Sequence, residues 1–149
     1  MKNYTASITT LLSAQQVYQA ITEDMSNWWT PMSGKFSRIG DQAKTDFGGQ
    51  SYWSFEASVL SEFSNIELTC HDANHIHEGL GDSIRTEWLG TKLVFHIRPE
   101  ESGTRIDFKH EGLVPELVCF DICKAGWDHY FLGSLKNYLD GKSGQPNTY

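Results

Sequence analysis

The stretch KLVFHIRPEESGTRIDFKH, residues 92–110, alternates apolar and polar side chains twice, with a turn between the two runs. Leu93, Phe95 and Ile97 share one phase, Ile106, Phe108 and His110 repeat it, and PEESG joins them, so the segment reads as a hairpin with one covered face. The other phase carries Lys92, Arg98, Arg105, Asp107 and Lys109 and belongs to water. A sheet with one apolar face needs a cover. The chain supplies it next: a helical pattern from Glu116 to Asp140, with Gly141 as its C-terminal stop, places Cys119, Cys123, Trp127, Tyr130, Phe131 and Ser134 on one stripe at about 100° per residue.

Upstream the same period-two phasing sets Trp53, Phe55, Ala57 and Val59 on the covered side, followed by Ile66, Leu68 and Cys70, then Ile84 and Trp88. Gly48-Gly49 suits a tight hairpin because both residues tolerate positive φ, and SEFSN marks a second turn. YTASITT near the N-terminus reads as a first strand. Ser13 and Gln16 then form a capping-box pattern with Leu12 and Val17 as a staple, which starts a helix at Ala14. SNWWTP offers a second, very short helix stopped by Pro31. The expected architecture is α+β: one strand, two short helices, a six-stranded antiparallel meander and a long C-terminal helix. Residues 1–141 are expected to form one domain, and GKSGQPNTY after the helix reads as a frayed tail.

The bulk properties narrow the function classes. With 149 residues, of which 39% are hydrophobic and 13% aromatic, the chain can bury one continuous core. Its net charge of −7 and scattered Lys and Arg offer no basic stripe for nucleic acid and no attraction to anionic lipid. No membrane span is expected. Three cysteines without a framework spacing and no secretory signal pattern point to the reducing cytoplasm and free thiols. No cofactor is expected.

The runs AITEDMSNWWTP (20–31), EWLGTKLVFHI (87–97), TRIDFKHEGLVPE (104–116) and CFDICKAGWDHYFLGSLKNYLDGKSGQP (119–146) resemble the START-like superfamily, in particular the group related to the activator of Hsp90 ATPase. The resemblance implies a helix-grip fold, a curved antiparallel sheet wrapped around the long helix, with a cavity between them that holds hydrophobic small molecules in many relatives. It does not imply one reaction. The resemblance does not extend to the additional amino-terminal domain of the eukaryotic co-chaperone, so an Hsp90-linked role is an alternative and not the leading expectation.

On this basis the cavity is expected to bind a hydrophobic or aromatic small molecule, lipid- or polyketide-like. Trp53, Phe55, Trp88, Phe95, Phe108, Cys119, Cys123, Trp127 and Phe131 would supply apolar contact, with His110, Tyr130 and Ser134 as orienting groups. The alternative is a cyclase, dehydratase or hydrolase in the same cavity, with His110 as the catalytic acid/base candidate. Cys119 and Cys123, four apart on the helix, read as apolar wall; a metal site or a reactive thiol is the other reading. In HDANHIHEG the metal candidates are His71, His75 and His77, although the segment reads as a solvated loop. Arg85 and Glu87 read as an outward ion pair. A homodimer leaves no mark in one sequence and stays open.

Overall fold

The computed structural model describes residues 2–148. Six strands form one antiparallel sheet: β1 (Tyr4–Thr10), β2 (Gln42–Lys44), β3 (Tyr52–Ser61), β4 (Asn65–Asn74), β5 (Lys92–Glu100) and β6 (Gly103–Glu111). Their order is β1-β6-β5-β4-β3-β2, so the first strand closes the sheet against the last. β5 and β6 pair in the register the alternation requires, Phe95 opposite Phe108 and Ile97 opposite Ile106. On β1, Tyr4 lies opposite His110 and Ile8 opposite Ile106, which extends the same apolar face.

Between β1 and β2 lie helix α1 (Ala14–Thr22) and the single turn α2 (Met25–Trp28). The capping box is present in full: the Ser13 side chain accepts from Gln16 N, and the Gln16 side chain accepts from Ser13 N at 3.0 Å. The helix buries Val17, Ala20 and Ile21. Because Ser13 answers one of the orphan amides of the first turn, Ser13→Ala should cost about 1 kcal/mol, read as a shift in the urea midpoint without a change in slope. A shift indistinguishable from zero would mean that the reciprocal Gln16 contact carries the cap alone.

Three sequence expectations need correction. Ile84 and Trp88 are buried, but not on a strand: Asp82–Ile84 is a single 3-10 turn, followed by tight turns to Gly90. A spacing of four satisfies an inward phase in either geometry, and positive φ at Gly79, Gly81 and Gly90 breaks the segment into turns. The Gly48-Gly49 connection is also longer than a two-residue hairpin, since β2 ends at Lys44 and Phe47 N bonds Ser51 O across the loop. Val59 is not on the covered face. The β3–β4 register shifts between Ala57 and Val59, and Leu60, opposite Ile66, takes the position against the core.

The C-terminal helix begins at Phe120, later than expected, and has three parts: α3 (Phe120–Trp127), a π-helical segment (Asp128–Leu135) and α4 (Lys136–Leu139). Cys119, Cys123, Trp127, Phe131, Leu135 and Leu139 are all buried. In a regular α-helix each step of four residues drifts by about 40°, so such a series would wind off the sheet. The wider turns of a π segment rotate less per residue and keep it aligned. Gly141, at φ +83°, ends the helix as expected.

The segment after Gly141, expected to fray, is tied to the body. Gln145 N donates to Ser134 Oγ at 2.6 Å and Asn147 N to Trp29 O at 2.7 Å. A Cβ at Gly144 would meet Asn27 O at 2.3 Å, which fixes glycine at the crossing.

Candidate functional site

The long helix does not seat flush on the sheet. At the β3–β4 end, a cavity of about 520 Å³ remains between helix, sheet and the 45–51 loop. Its wall is aromatic: Trp29, Phe47, Trp53, Trp88, Trp127 and Tyr130. The rings brace one another, with Trp53 stacked on Trp88 at 4.2 Å between centroids and Trp29 against Trp127 at 4.9 Å. Phe47 reaches the wall because its loop folds back, and meets Trp53 edge-on at 5.1 Å. Both Trp28 and Trp29 are buried, but Trp28 donates its indole N–H to Ala20 O while Trp29 lines the cavity.

Polar groups on this wall are few. The indole nitrogens of Trp53 and Trp88 are buried and make no hydrogen bond of regular geometry. Trp53 Nε1 is a donor whose burial costs free energy until an acceptor arrives, whereas Trp88 Nε1 is turned toward the Cys123 sulfur. Ser51 Oγ, also at the wall, is engaged with Ile76 O and Ile76 N.

Of the residues expected to contact a ligand, Trp53, Trp88, Cys123, Trp127 and Tyr130 line the cavity. Phe55, Phe95, Phe108, Cys119, Phe131, Ser134 and His110 are buried outside that lining. The four phenylalanines belong to the ring-packed core deeper under the helix; Phe108, for example, stacks on Phe95 at 4.8 Å and Phe131 at 5.0 Å. Ser134 Oγ is spoken for, donating to Trp28 O at 2.7 Å and accepting from Gln145 N.

His110 also differs from its expected place at the cavity. Trp127 Nε1 donates to its Nδ1 at 3.0 Å, so the remaining proton sits on Nε2 and is donated to Thr91 Oγ1 at 2.9 Å. Thr91 in turn donates to Trp88 O at 2.7 Å. Burial without a charged partner pushes the His110 pKa down to about 3. The imidazole is a neutral brace that links strand, loop and helix. Both nitrogens are occupied.

The three histidines of the 71–77 run go different ways. β4 continues to Asn74, so His71 lies on the strand, exposed, with Nε2 at 3.1 Å from Ser54 Oγ. His77 is exposed in the following loop, its Nδ1 near Glu78 O. His75 turns inward. Its N–H bonds Arg85 O, and its ring is buried against Trp53 at 5.0 Å, with Nδ1 unpartnered. The solvated-loop reading therefore fails for His75, because the strand runs four residues further and carries it over the sheet edge.

There it meets the cysteines. An imidazole nitrogen of His75 and the sulfurs of Cys119 and Cys123 all lie within 4.8 Å of one another, and all three residues are buried. The Cys119 thiol donates to Cys123. That bond, ahead of burial, pushes the Cys119 pKa up, and the same bond lowers that of Cys123 against its burial. Glu87, expected to pair outward with Arg85, accepts instead from Val118 N and Cys119 N at 2.9 and 3.0 Å and caps the helix entrance. Arg85 bonds Asn74 Oδ1. The third cysteine, Cys70, stands apart as a buried free thiol, its pKa pushed up to about 12 by burial.

No family model matches the sequence, and none of the curated proteins does. Solved structures do match. The Aha1 dimer from Colwellia psychrerythraea superposes with a TM-score of 0.74 at 26% identity, covering 94% of this chain and 97% of that one. Protein MLL2253 from Mesorhizobium loti matches with a TM-score of 0.73 at 16% identity, over 93% and 96% of the two chains. DynU16, a protein of the dynemicin biosynthetic locus, matches with a TM-score of 0.69 at 16% identity; 93% of this chain covers 48% of that longer one. Among the described residues no helix is long and apolar enough to cross a membrane. The antiparallel sheet closed by its first strand, the long helix laid across it and these neighbours together show that the chain has the START-like helix-grip fold.

Proposed function

We propose that this protein binds a hydrophobic, ring-containing small molecule in the cavity between the C-terminal helix and the sheet. The observation that carries this reading is an aromatic-walled space of about 520 Å³ into which the buried Trp53 indole brings a donor with no partner among the described residues, with the Trp88 indole beside it against the Cys123 sulfur. That volume falls within the range of small-molecule sites, and the wall offers broad apolar contact with a few directional groups. An acceptor-bearing ring system, such as a flavonoid or an anthraquinone, satisfies both. Turnover is the weaker reading, since His110 is off the lining and has both nitrogens engaged. The chaperone alternative has the likeness to the Colwellia protein as its support, and that protein's dimeric state motivates a parallel proposal of self-association, measured by sedimentation equilibrium.

Gly126 provides the test. It lies on the cavity wall within α3, and a Cβ built there meets nothing within 4 Å. Gly126→Ala should stabilise the protein by about 0.5–1 kcal/mol by removing backbone freedom from the unfolded chain. Gly126→Phe should fold and fill the cavity. Tryptophan quenching by a panel of flavonoids, anthraquinones and fatty acids should be saturable in the parent and lost in Gly126→Phe. Equal quenching in both proteins would remove the cavity as the site.

A further inference from the structure

We infer that His75, Cys119 and Cys123 form a binding site for a single borderline-soft divalent metal ion, zinc(II) or its cobalt(II) surrogate, at the inner wall of the cavity. The inference stands on observations separate from those that support the small-molecule reading. Two thiols and an imidazole are the donors such ions select, and they converge from distant parts of the chain with their ligand atoms within 4.8 Å of one another. Metal–sulfur and metal–nitrogen bonds of about 2.3 and 2.0 Å put tetrahedral ligand atoms about 3.5–3.8 Å apart, so closure on an ion takes shifts of about 1 Å.

A second, independent feature points the same way. His75 is only 6% exposed, its ring already reaches the Cys119 sulfur, and its Nδ1 meets no hydrogen-bond partner of regular geometry among the described residues, which leaves a buried nitrogen with unused capacity where that is costly. The supports of the group are built. The Glu87 carboxylate fixes the backbone at Cys119, the His75 N–H is held by Arg85 O, and Cys123 lies one turn along the helix, bonded from its N–H to Cys119 O at 2.9 Å. Glu87 also brings a negative charge beside the position a cation would take. A bound ion takes both cysteines as thiolates, so two thiol protons leave to solvent for each ion bound, and no oxidation is involved. Three protein ligands leave a fourth position. Because His75 and Cys123 also line the cavity, that position faces it and suits water or a heteroatom of a cavity ligand.

Cobalt(II) titration of the reduced, metal-stripped protein reads the donor set directly. The expected result is one equivalent bound, with thiolate-to-cobalt charge-transfer absorption and tetrahedral ligand-field bands that zinc(II) abolishes by displacement. Cys119→Ser, Cys123→Ser and His75→Ala should each weaken binding by about a hundredfold or more, whereas His71→Ala and His77→Ala should leave it unchanged. If a core variant does not fold, the parent still decides: zinc(II) should protect Cys119 and Cys123, but not Cys70, from alkylation resolved by peptide mass. Cobalt bound without charge-transfer absorption, binding that follows His71 or His77, or alkylation insensitive to zinc overturns the inference. Ligand quenching that persists in the metal-free protein leaves the small-molecule reading intact, so the two can fail separately.

Discussion

Trp127→Ala is expected to lower the free energy of unfolding by about 4–5 kcal/mol, near the top of the range for removing a buried tryptophan. The ring sits where helix, cavity and core meet. Its centroid is 4.9 Å from Trp29, 4.7 Å from Phe108 and 6.1 Å from Trp88, and its N–H completes the hydrogen bonding of His110. Deleting it leaves a hole continuous with the cavity and an unpaired imidazole nitrogen in a buried setting. Trp127→Phe separates the two contributions: a ring stays, the donor goes, and the loss should fall to about 1–3 kcal/mol. Urea unfolding of both variants at neutral pH checks this. A Trp127→Ala loss below about 2 kcal/mol would show that the neighbouring rings collapse into the space and that the helix does not depend on this contact.

Acid should weaken the fold well before its carboxylates titrate. His110 has a pKa near 3 in the folded protein against about 6.5 in an unfolded chain, so the unfolded state binds the extra proton throughout that window. The sign follows. The full stability is present above about pH 6.5 and is lost progressively as pH falls toward 3. At pH 5 the loss is about 2 kcal/mol, one and a half units at about 1.4 kcal/mol each. Among the described residues no charged side chain supplies a compensating contact, because the partners of the ring are Thr91, Trp88 and Trp127. Tyr4, opposite His110 on β1, stays protonated, since burial and its hydrogen bond to Asp128 raise its pKa. Urea midpoints at pH 7.5 and pH 5 for the parent and for His110→Gln test the attribution. Whatever the starting stability of the variant, its difference between the two pH values should shrink by most of that ~2 kcal/mol. An unchanged difference would mean that other groups set the acid response.

The hairpin of β5 and β6 and the cover helix were legible in the sequence for a simple reason: an alternation fixes its own face, and a capping box or a terminal glycine fixes its own helix end. Trp53, Cys123, Trp127 and Tyr130 were legible as inward residues on the same ground, by phase or stripe, whereas Trp88 points inward from a turn and not from the strand its spacing suggested. Phe55, Phe95, Phe108 and Phe131 share that phase but pack deeper, because phase says which way a side chain points and not how far the helix stands off the sheet. Phe47 and Gly126 carried no such signal. One lies on an irregular loop, and the other matters for the side chain it lacks. Leu135 and Leu139 escaped the helical stripe because the π segment resets its period.

The sequence by itself determined most of the strands, the start of the first helix, the covered face of the sheet and the acidic, thiol-bearing character of the chain, since each of these is a local property of residue type and spacing. The tertiary structure alone decided the hollow, the neutral brace at His110 and the meeting of His75 with Cys119 and Cys123. These depend on distances between different elements of the fold, 17 residues apart even for His110 and Trp127, which are set by strand register and by the height of the helix above the sheet, and no local period encodes either.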